Sequence, residues 1–352
     1  MGSVTPSPPQ DPWIETPLVY SAQLSRAAGC SIYLKLENLQ PSGSFKSRGI
    51  GNFMSRAVDA TPSQDVHFYC SSEGNAGLAC ATTALGLGRK ATIVVPQTAS
   101  PIVIARLRSL SATVVQHGVN WPEADGFLRG TLLAPERQEP NTRAVYVSPF
   151  DHPDVWSGAA TLVDELASQM RSNHGEKPID GIVCSVGGGG LLNGVLEGVQ
   201  RHKEFVGRHG RVPKVLAVET IGADSLNSSV RAGTHVTLPG ITSIATSLGA
   251  TRVSAKSWEW VGTCGEDLIS ATVTDPEAAM ACVRFLDDMR ILVEVACGAT
   301  LATAYNGDLR KHLGKSLSDE DWAEINVVMV VCGGSNANID TIMKYRELYG
   351  GK

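Results

Sequence analysis

The chain has 352 residues with 43% hydrophobic content, enough to bury a large core in two domains or one large one. Its formal net charge is −5, with acids and bases scattered, which excludes the basic stripe of a nucleic-acid binder and a polybasic membrane face. No apolar run reaches transmembrane length, so small molecules are the expected partners.

The amino-terminal "MGSVTPSPPQDP" lacks the charged start and apolar stretch of a signal peptide. Its Gly2 fits a myristoylation signal, but the Ser/Pro composition reads as a disordered tail. The first continuous apolar run, "SIYLKLE" (31–37), leads into "LENLQPSGSFKSRG" (36–49). There Pro41 and Gly43 mark a turn, and Lys46 stands among small residues where a helix over about 47–58 begins. The positive end of that helix would depress an ammonium pKa and free the amine as a nucleophile if it is desolvated; the alternative reading is a surface lysine. "VHFYCSS" (66–72) is the next strand, followed by "SSEGNAG" and a helix over 76–88. Glycines frame Asn75 in this loop, and Glu73 places an acid in its middle.

"ATIVVP" (91–96), a helix at 101–110 and "ATVVQHG" (112–118) continue the alternation. Segment 119–143 reads as one helix and a solvated loop, "AVYVSP" (144–149) as a strand, and His152 as a loop histidine ahead of a helix at 155–171. After a polar connection at 172–180, "GIVCSV" (181–186) runs into "SVGGGGLLNG" and a helix at 191–204. Four consecutive glycines sacrifice backbone entropy that a plain turn does not require, and their position after a strand and before a helix asks for an anion. "KVLAVE" (214–219), helices at 276–289 and 298–312, and "INVVMVVCGG" (325–334) complete the pattern. Most of these strands are continuous apolar runs, as in parallel sheets covered on both faces. The cysteines (30, 70, 80, 184, 264, 282, 297 and 332) form no CxxC pair and read as reduced thiols of a cytosolic protein. In an open α/β sheet, ligands collect beyond the carboxyl ends of strands, so the three glycine-rich loops "SSEGNAG", "SVGGGGLLNG" and "VVCGGSNAN" imply one cleft.

Together with "ETPLVYS", "SGSFKSRG", "YVSPFDHPDVWSG", "AVETIGA" and "VEVACGA", these segments resemble the fold-type II pyridoxal-phosphate enzymes, in particular the L-serine/L-threonine dehydratase (ammonia-lyase) branch related to serine racemase. The resemblance covers nearly the whole chain. It implies an α/β fold of the tryptophan-synthase-β type with two domains, each a twisted, mostly parallel sheet flanked by helices: a large cofactor-binding domain from 1–48 and 150–352, and a small mobile domain from 49–149 carrying the Asn75 loop. It implies that Lys46 carries pyridoxal 5′-phosphate as a Schiff base, with Phe45 packing beside the ring. Gly187, Gly188, Gly189, Gly190 and Leu191 would hold the phosphate, and Asn75 the 3′-oxygen. Ser72, Gly74, Asn75 and Ala76 would receive the substrate. Cys332 would face the pyridine nitrogen; a buried structural thiol is its alternative reading. A cation, potassium or a divalent ion such as magnesium, would sit on Glu219 and the carbonyls of Ala223, Leu248 and Ala250, although Glu219 also reads as a helix cap.

The reaction so implied is α,β-elimination of L-serine to pyruvate and ammonia, and of L-threonine to 2-oxobutanoate, in a cytoplasmic homodimer without a carboxyl-terminal regulatory domain. Glu73 departs from the dehydratase pattern, where alanine or glycine is usual. It is either solvated, or an acid/base opposite Lys46 that would allow racemisation, epimerisation or use of a D-amino acid, or a selector for a cationic substituent such as that of 2,3-diaminopropionate. In every version it sits near the substrate carboxylate and weakens serine binding unless protonated or turned away. A non-catalytic cofactor-binding protein is the remaining alternative.

Overall fold

The computed structural model describes residues 12–134, 141–202 and 212–351. Its contacts divide the chain into two compact units, one built mainly from residues 46–149 and the other from 15–39 and 150–352.

The larger unit holds a six-stranded sheet in the order β1-β2-β10-β7-β8-β9. Its strands are β1 (Leu18–Tyr20), β2 (Ser31–Lys35), β7 (Gly181–Ser185), β8 (Lys214–Thr220), β9 (Leu268–Val273) and β10 (Asn326–Val330). Only β1 runs antiparallel, against β2; the other pairs are parallel. Every residue of β7 and β10 is buried, which is why both read as unbroken apolar runs. Helix Gly190–Arg201 packs on helix Pro153–Asn173 with almost no gap. A Cβ on Gly194 would come within 2.4 Å of the Ala159 side chain, and one on Gly198 within 2.5 Å of Val163. That fixes the helix whose amino end follows the four-glycine loop.

The smaller unit is a four-stranded, wholly parallel sheet in the order β5-β4-β3-β6, comprising β3 (Asp65–Ser71), β4 (Lys90–Val95), β5 (Thr113–Gln116) and β6 (Thr142–Tyr146). Helix Lys46–Asp59 buries Ile50 and Met54 in its core.

The expected α/β class, with two mostly parallel sheets flanked by helices, is what the chain adopts. Several elements differ in detail. β1 and β9 were not expected: one has three residues, and the other, "LISATV", is an edge strand with a mixed, half-buried pattern. The helix expected over 298–312 is two, Val295–Tyr305 and Asp308–Leu313, because Gly307 at φ 87° turns the chain between them. Helices Ala22–Ala28, Ser225–Ala232, Ala255–Cys264 and Ile339–Tyr349 are further additions. Segment 119–143 contains helix Trp121–Phe127 and a wider turn at Leu128–Leu133; part of its expected loop, the amino-terminal tail and the end of the 191–204 helix lie outside the described residues.

Candidate active site

Lys46 opens its helix and is half-buried. Its amine donates to the carbonyl oxygen of Pro149 at 2.5 Å. The turn before it is pinned by Ser47, whose hydroxyl donates to Ser42 Oγ (2.8 Å) and accepts the Ser42 N–H (3.1 Å). These bonds aim the lysine in one direction, as a nucleophile requires.

The second loop of the smaller unit follows β3. Gly74 is the N-cap of helix Asn75–Gly86, and its N–H donates to Ser72 Oγ at 3.2 Å. A Cβ at Gly77 would lie 2.0 Å from the Ser72 carbonyl oxygen, so only glycine lets the loop fold this tightly over the helix end. The first turn, from Asn75 through Ala76, thus presents its amide end toward Ser72, an arrangement suited to a carboxylate. Trp121, which the sequence did not single out, donates its indole N–H to the Ser71 carbonyl at 2.8 Å and holds the start of this loop. Glu73 is exposed at the surface, yet the protein around it desolvates the carboxyl enough to push its pKa above the usual glutamate value.

In the larger unit the four glycines follow β7. Gly189 sits at φ 94° as the cap of helix Gly190–Arg201. Phe150 lies against the loop: a Cβ on Gly188 would fall within 2.3–2.5 Å of its ring carbons. A side chain at 188 or 189 would displace the loop. Bare backbone at a helix amino end is the chemistry that holds a phosphate, and the residues therefore fit the group the resemblance implies.

Cys332, at the end of β10, is buried; its thiol lies 3.5 Å from Ser185 Oγ, and its carbonyl accepts the Phe45 N–H at 3.1 Å. Burial, and the neighbouring Cys332 thiol, push the Cys297 thiol pKa far up. The eight cysteines are all free, as expected. Glu294, absent from the sequence reading, is buried and accepts the Asn336 N–H at 3.0 Å, tying down the loop after Cys332.

Glu219 at the end of β8 is fully buried, and its two oxygens accept the N–H groups of Leu226 (2.9 Å) and Asn227 (2.7 Å). It caps helix Ser225–Ala232, the alternative reading of this residue. Burial pushes its pKa up to about 8 despite those bonds. The Leu248 carbonyl accepts the Ala250 N–H at 2.8 Å, and Ala223 is buried nearby in sequence. Among the described residues no three His, Cys, Asp or Glu side chains cluster as metal ligands, so a cation here would depend on Glu219 with backbone oxygens. His152 caps helix Pro153–Asn173, its Nδ1 accepting the Asp154 N–H at 3.1 Å.

A family profile described as "Pyridoxal-phosphate dependent enzyme" matches residues 10–333. An "L-serine dehydratase/L-threonine deaminase" of Bos taurus is 41% identical, covering 96% of this chain and 96% of its own length. Among solved structures, a fungal L-serine ammonia-lyase from Rhizomucor miehei aligns with a TM-score of 0.84 and 35% identity, over 97% of this chain and 100% of that one. A pyridoxal 5′-phosphate-dependent aspartate racemase aligns with a TM-score of 0.76 and 26% identity, over 94% and 93% respectively. No helix of the described residues is long and apolar enough to cross a membrane.

Proposed function

The chain belongs to the pyridoxal-phosphate-dependent enzyme family, and on that footing we propose that it eliminates water from L-serine, and from L-threonine, to give pyruvate or 2-oxobutanoate with ammonia. The enzyme is a lyase of the serine/threonine ammonia-lyase type. The observation that carries this reading is the directed, half-buried amine of Lys46 at the start of a helix, in a chain that matches a serine/threonine dehydratase over nearly its full length.

When bound, pyridoxal phosphate supplies an aldehyde for covalent attachment and an electron sink that acidifies the α-proton. Lys46 would be its attachment point; Gly187, Gly188, Gly189, Gly190 and Leu191 would hold the phosphate, Asn75 the 3′-oxygen, Phe45 the ring and Cys332 the pyridine nitrogen. A cysteine there would not pair with that nitrogen as an aspartate would, which would favour prompt departure of the β-substituent. Ser72, Gly74, Asn75 and Ala76 receive the substrate carboxylate. Released when the substrate's amine takes its place, the Lys46 amine beside the Pro149 carbonyl would take the α-proton; the β-hydroxyl would leave with a proton as water, and the enamine acid so formed would take up water to give the keto acid and ammonia. Keto-acid production from L-serine and L-threonine by the purified holoenzyme tests the reading; no keto acid from either overturns it.

Glu73 modifies binding. Ionised, it opposes a substrate carboxylate held nearby by about 1 kcal/mol in water-like surroundings. Its folded pKa is raised, so lowering pH neutralises it while the substrate carboxylate stays charged. KM for L-serine is therefore expected to fall by about five-fold on the acid side of that raised pKa, and Glu73→Gln should give a low KM with no such step. An unchanged KM in Glu73→Gln removes the repulsion.

A second reading rests on the same raised pKa. A carboxyl whose pKa is raised by desolvation is a stronger base when ionised, and an aspartate racemase shares this fold. Glu73 then acts on the face opposite Lys46. L-serine incubated in deuterated water would give deuterated D-serine in the wild type and none in Glu73→Ala; keto acid alone rejects this reading.

The cation reading is supported by Glu219, whose carboxyl burial pushes up to about 8 with no cationic side chain beside it among the described residues. Potassium or magnesium on Glu219 and the carbonyls of Ala223, Leu248 and Ala250 supplies a positive charge. Adding the cation to chelated, salt-exchanged enzyme should raise Tm by about 2–4 °C, with no rise in Glu219→Gln. The unpaired thiols agree with a reducing, cytoplasmic setting, and the homodimer is carried over from the family.

A further inference from the structure

Behind the four-glycine loop lie three polar side chains that neither the sequence nor the reaction accounts for: Asn193, Ser254 and Ser257, all buried. Asn193 Nδ2 donates to Ser254 Oγ at 3.0 Å. Ser254 Oγ also accepts the Ser257 N–H at 3.1 Å, so its own proton is left for Ser257 Oγ, 2.9 Å away. Ser257 Oγ in turn donates to Asn193 Oδ1 at 2.8 Å. The three side chains close a ring in which every hydroxyl proton has an acceptor.

The ring grips the loop. The backbones that carry it are bonded to the loop: the Ser254 N–H donates to the Gly188 carbonyl at 3.0 Å, and the Asn193 N–H, in the first turn of the helix, to the Gly189 carbonyl at 2.8 Å, so the ring fixes Ser254 and the helix start against each other. Ser257 Oγ stands 2.0 Å from where a Cβ on Gly189 would be, so the hydroxyl rests on that glycine's backbone. Gly188 and Gly189 are thereby held from behind, at the point where φ 94° turns the amides of the following helix outward. Because both hydroxyl protons are used inside the ring, neither is offered to an anion, and the ring acts through the loop.

We propose that Asn193, Ser254 and Ser257 are positioning residues that hold Gly188 and Gly189 in the shape that binds the cofactor's phosphate. The proposal rests on the assignment of residues 187–191 to that phosphate. It predicts a loss confined to ligands that carry the phosphate. A flexible loop must be ordered at each binding event, and that cost falls on phosphate contacts alone. A carboxylate at 193 adds a buried negative charge next to the anion site.

The test is equilibrium binding of pyridoxal 5′-phosphate and of pyridoxal to full-length protein stripped of cofactor. Asn193→Ala and Ser257→Ala should each weaken pyridoxal phosphate binding about 10-fold, and Asn193→Asp about 100-fold, with pyridoxal binding within two-fold of wild type in all three. If Asn193 variants fail to fold, Ser257→Ala, which deletes one oxygen, decides the matter. Equal weakening of both ligands, or a lower Tm with unchanged binding of both, overturns the proposal and leaves the ring a packing feature. In wild type with ¹⁵N-glycine, amide signals of Gly187–Gly190 should move with pyridoxal phosphate and not with pyridoxal. If they do not, the loop assignment itself fails; if they do while the variants bind normally, the ring proposal alone fails.

Discussion

Lys46→Ala is expected to lower kcat for L-serine by more than about 10³-fold, the scale of a lost proton-transfer group, while the protein stays folded. Alanine is the best helix former, and the substitution falls on the first residue of its helix, where one bond to the Pro149 carbonyl is lost. Lys46→Arg should be equally inactive, since a guanidinium keeps the charge but cannot shed its proton to become a base. That pair of variants separates a chemical role from a merely electrostatic one. Borohydride reduction of the holoenzyme followed by peptide mapping should mark position 46 in the wild type and nothing in either variant. Appreciable pyruvate from Lys46→Ala, or a label on a different lysine, would remove the centre of the proposed mechanism.

The second large effect concerns Gly189. An alanine there has to adopt φ near 94°, a conformation that L-residues with a side chain avoid, and its Cβ would meet Ser257 Oγ at 2.0 Å. Backbone strain costs about 1–3 kcal/mol and overpacking a similar amount. Gly189→Ala is expected to weaken pyridoxal phosphate binding by about 100-fold or more and to lower the denaturant midpoint. Titration of the cofactor into stripped protein, read by its absorbance, measures the first; urea unfolding measures the second. Wild-type affinity in this variant would mean that the phosphate does not depend on the shape of this loop.

What the sequence disclosed follows from where each residue sits. Strands buried on both faces, such as β7 and β10, announce themselves as unbroken apolar runs, whereas the edge strand β1 is only three residues long and β9 interleaves Ser270 and Thr272 with its apolar residues, so both pass for loop. Lys46, Asn75 and the four glycines are legible because each stands in a compact local motif with its own backbone logic. The ring behind the loop is not: Asn193 and Ser257 are 64 positions apart and are commonplace residues until the fold brings them within 2.8 Å. The Glu219 bonds to the Leu226 and Asn227 N–H groups make it a helix cap; sequence spacing does not show this, because a carboxylate on a strand end suits a cap and a cation site equally. Trp121 and Glu294 escaped notice for a similar reason, since each acts on a backbone atom of a distant segment.

The sheet order of the larger unit bears on how the polypeptide matures as it leaves the ribosome. β2 takes its parallel neighbour from β10, with Ser31 opposite Asn326, so an early strand emerges nearly three hundred residues ahead of its mate and keeps one edge open until synthesis is almost finished. The four-stranded sheet draws all its strands from one continuous stretch, 65–146, and is free to form while translation continues. Nascent chains halted before β10 should therefore protect the 46–149 stretch from protease and leave the first strands open to chaperones.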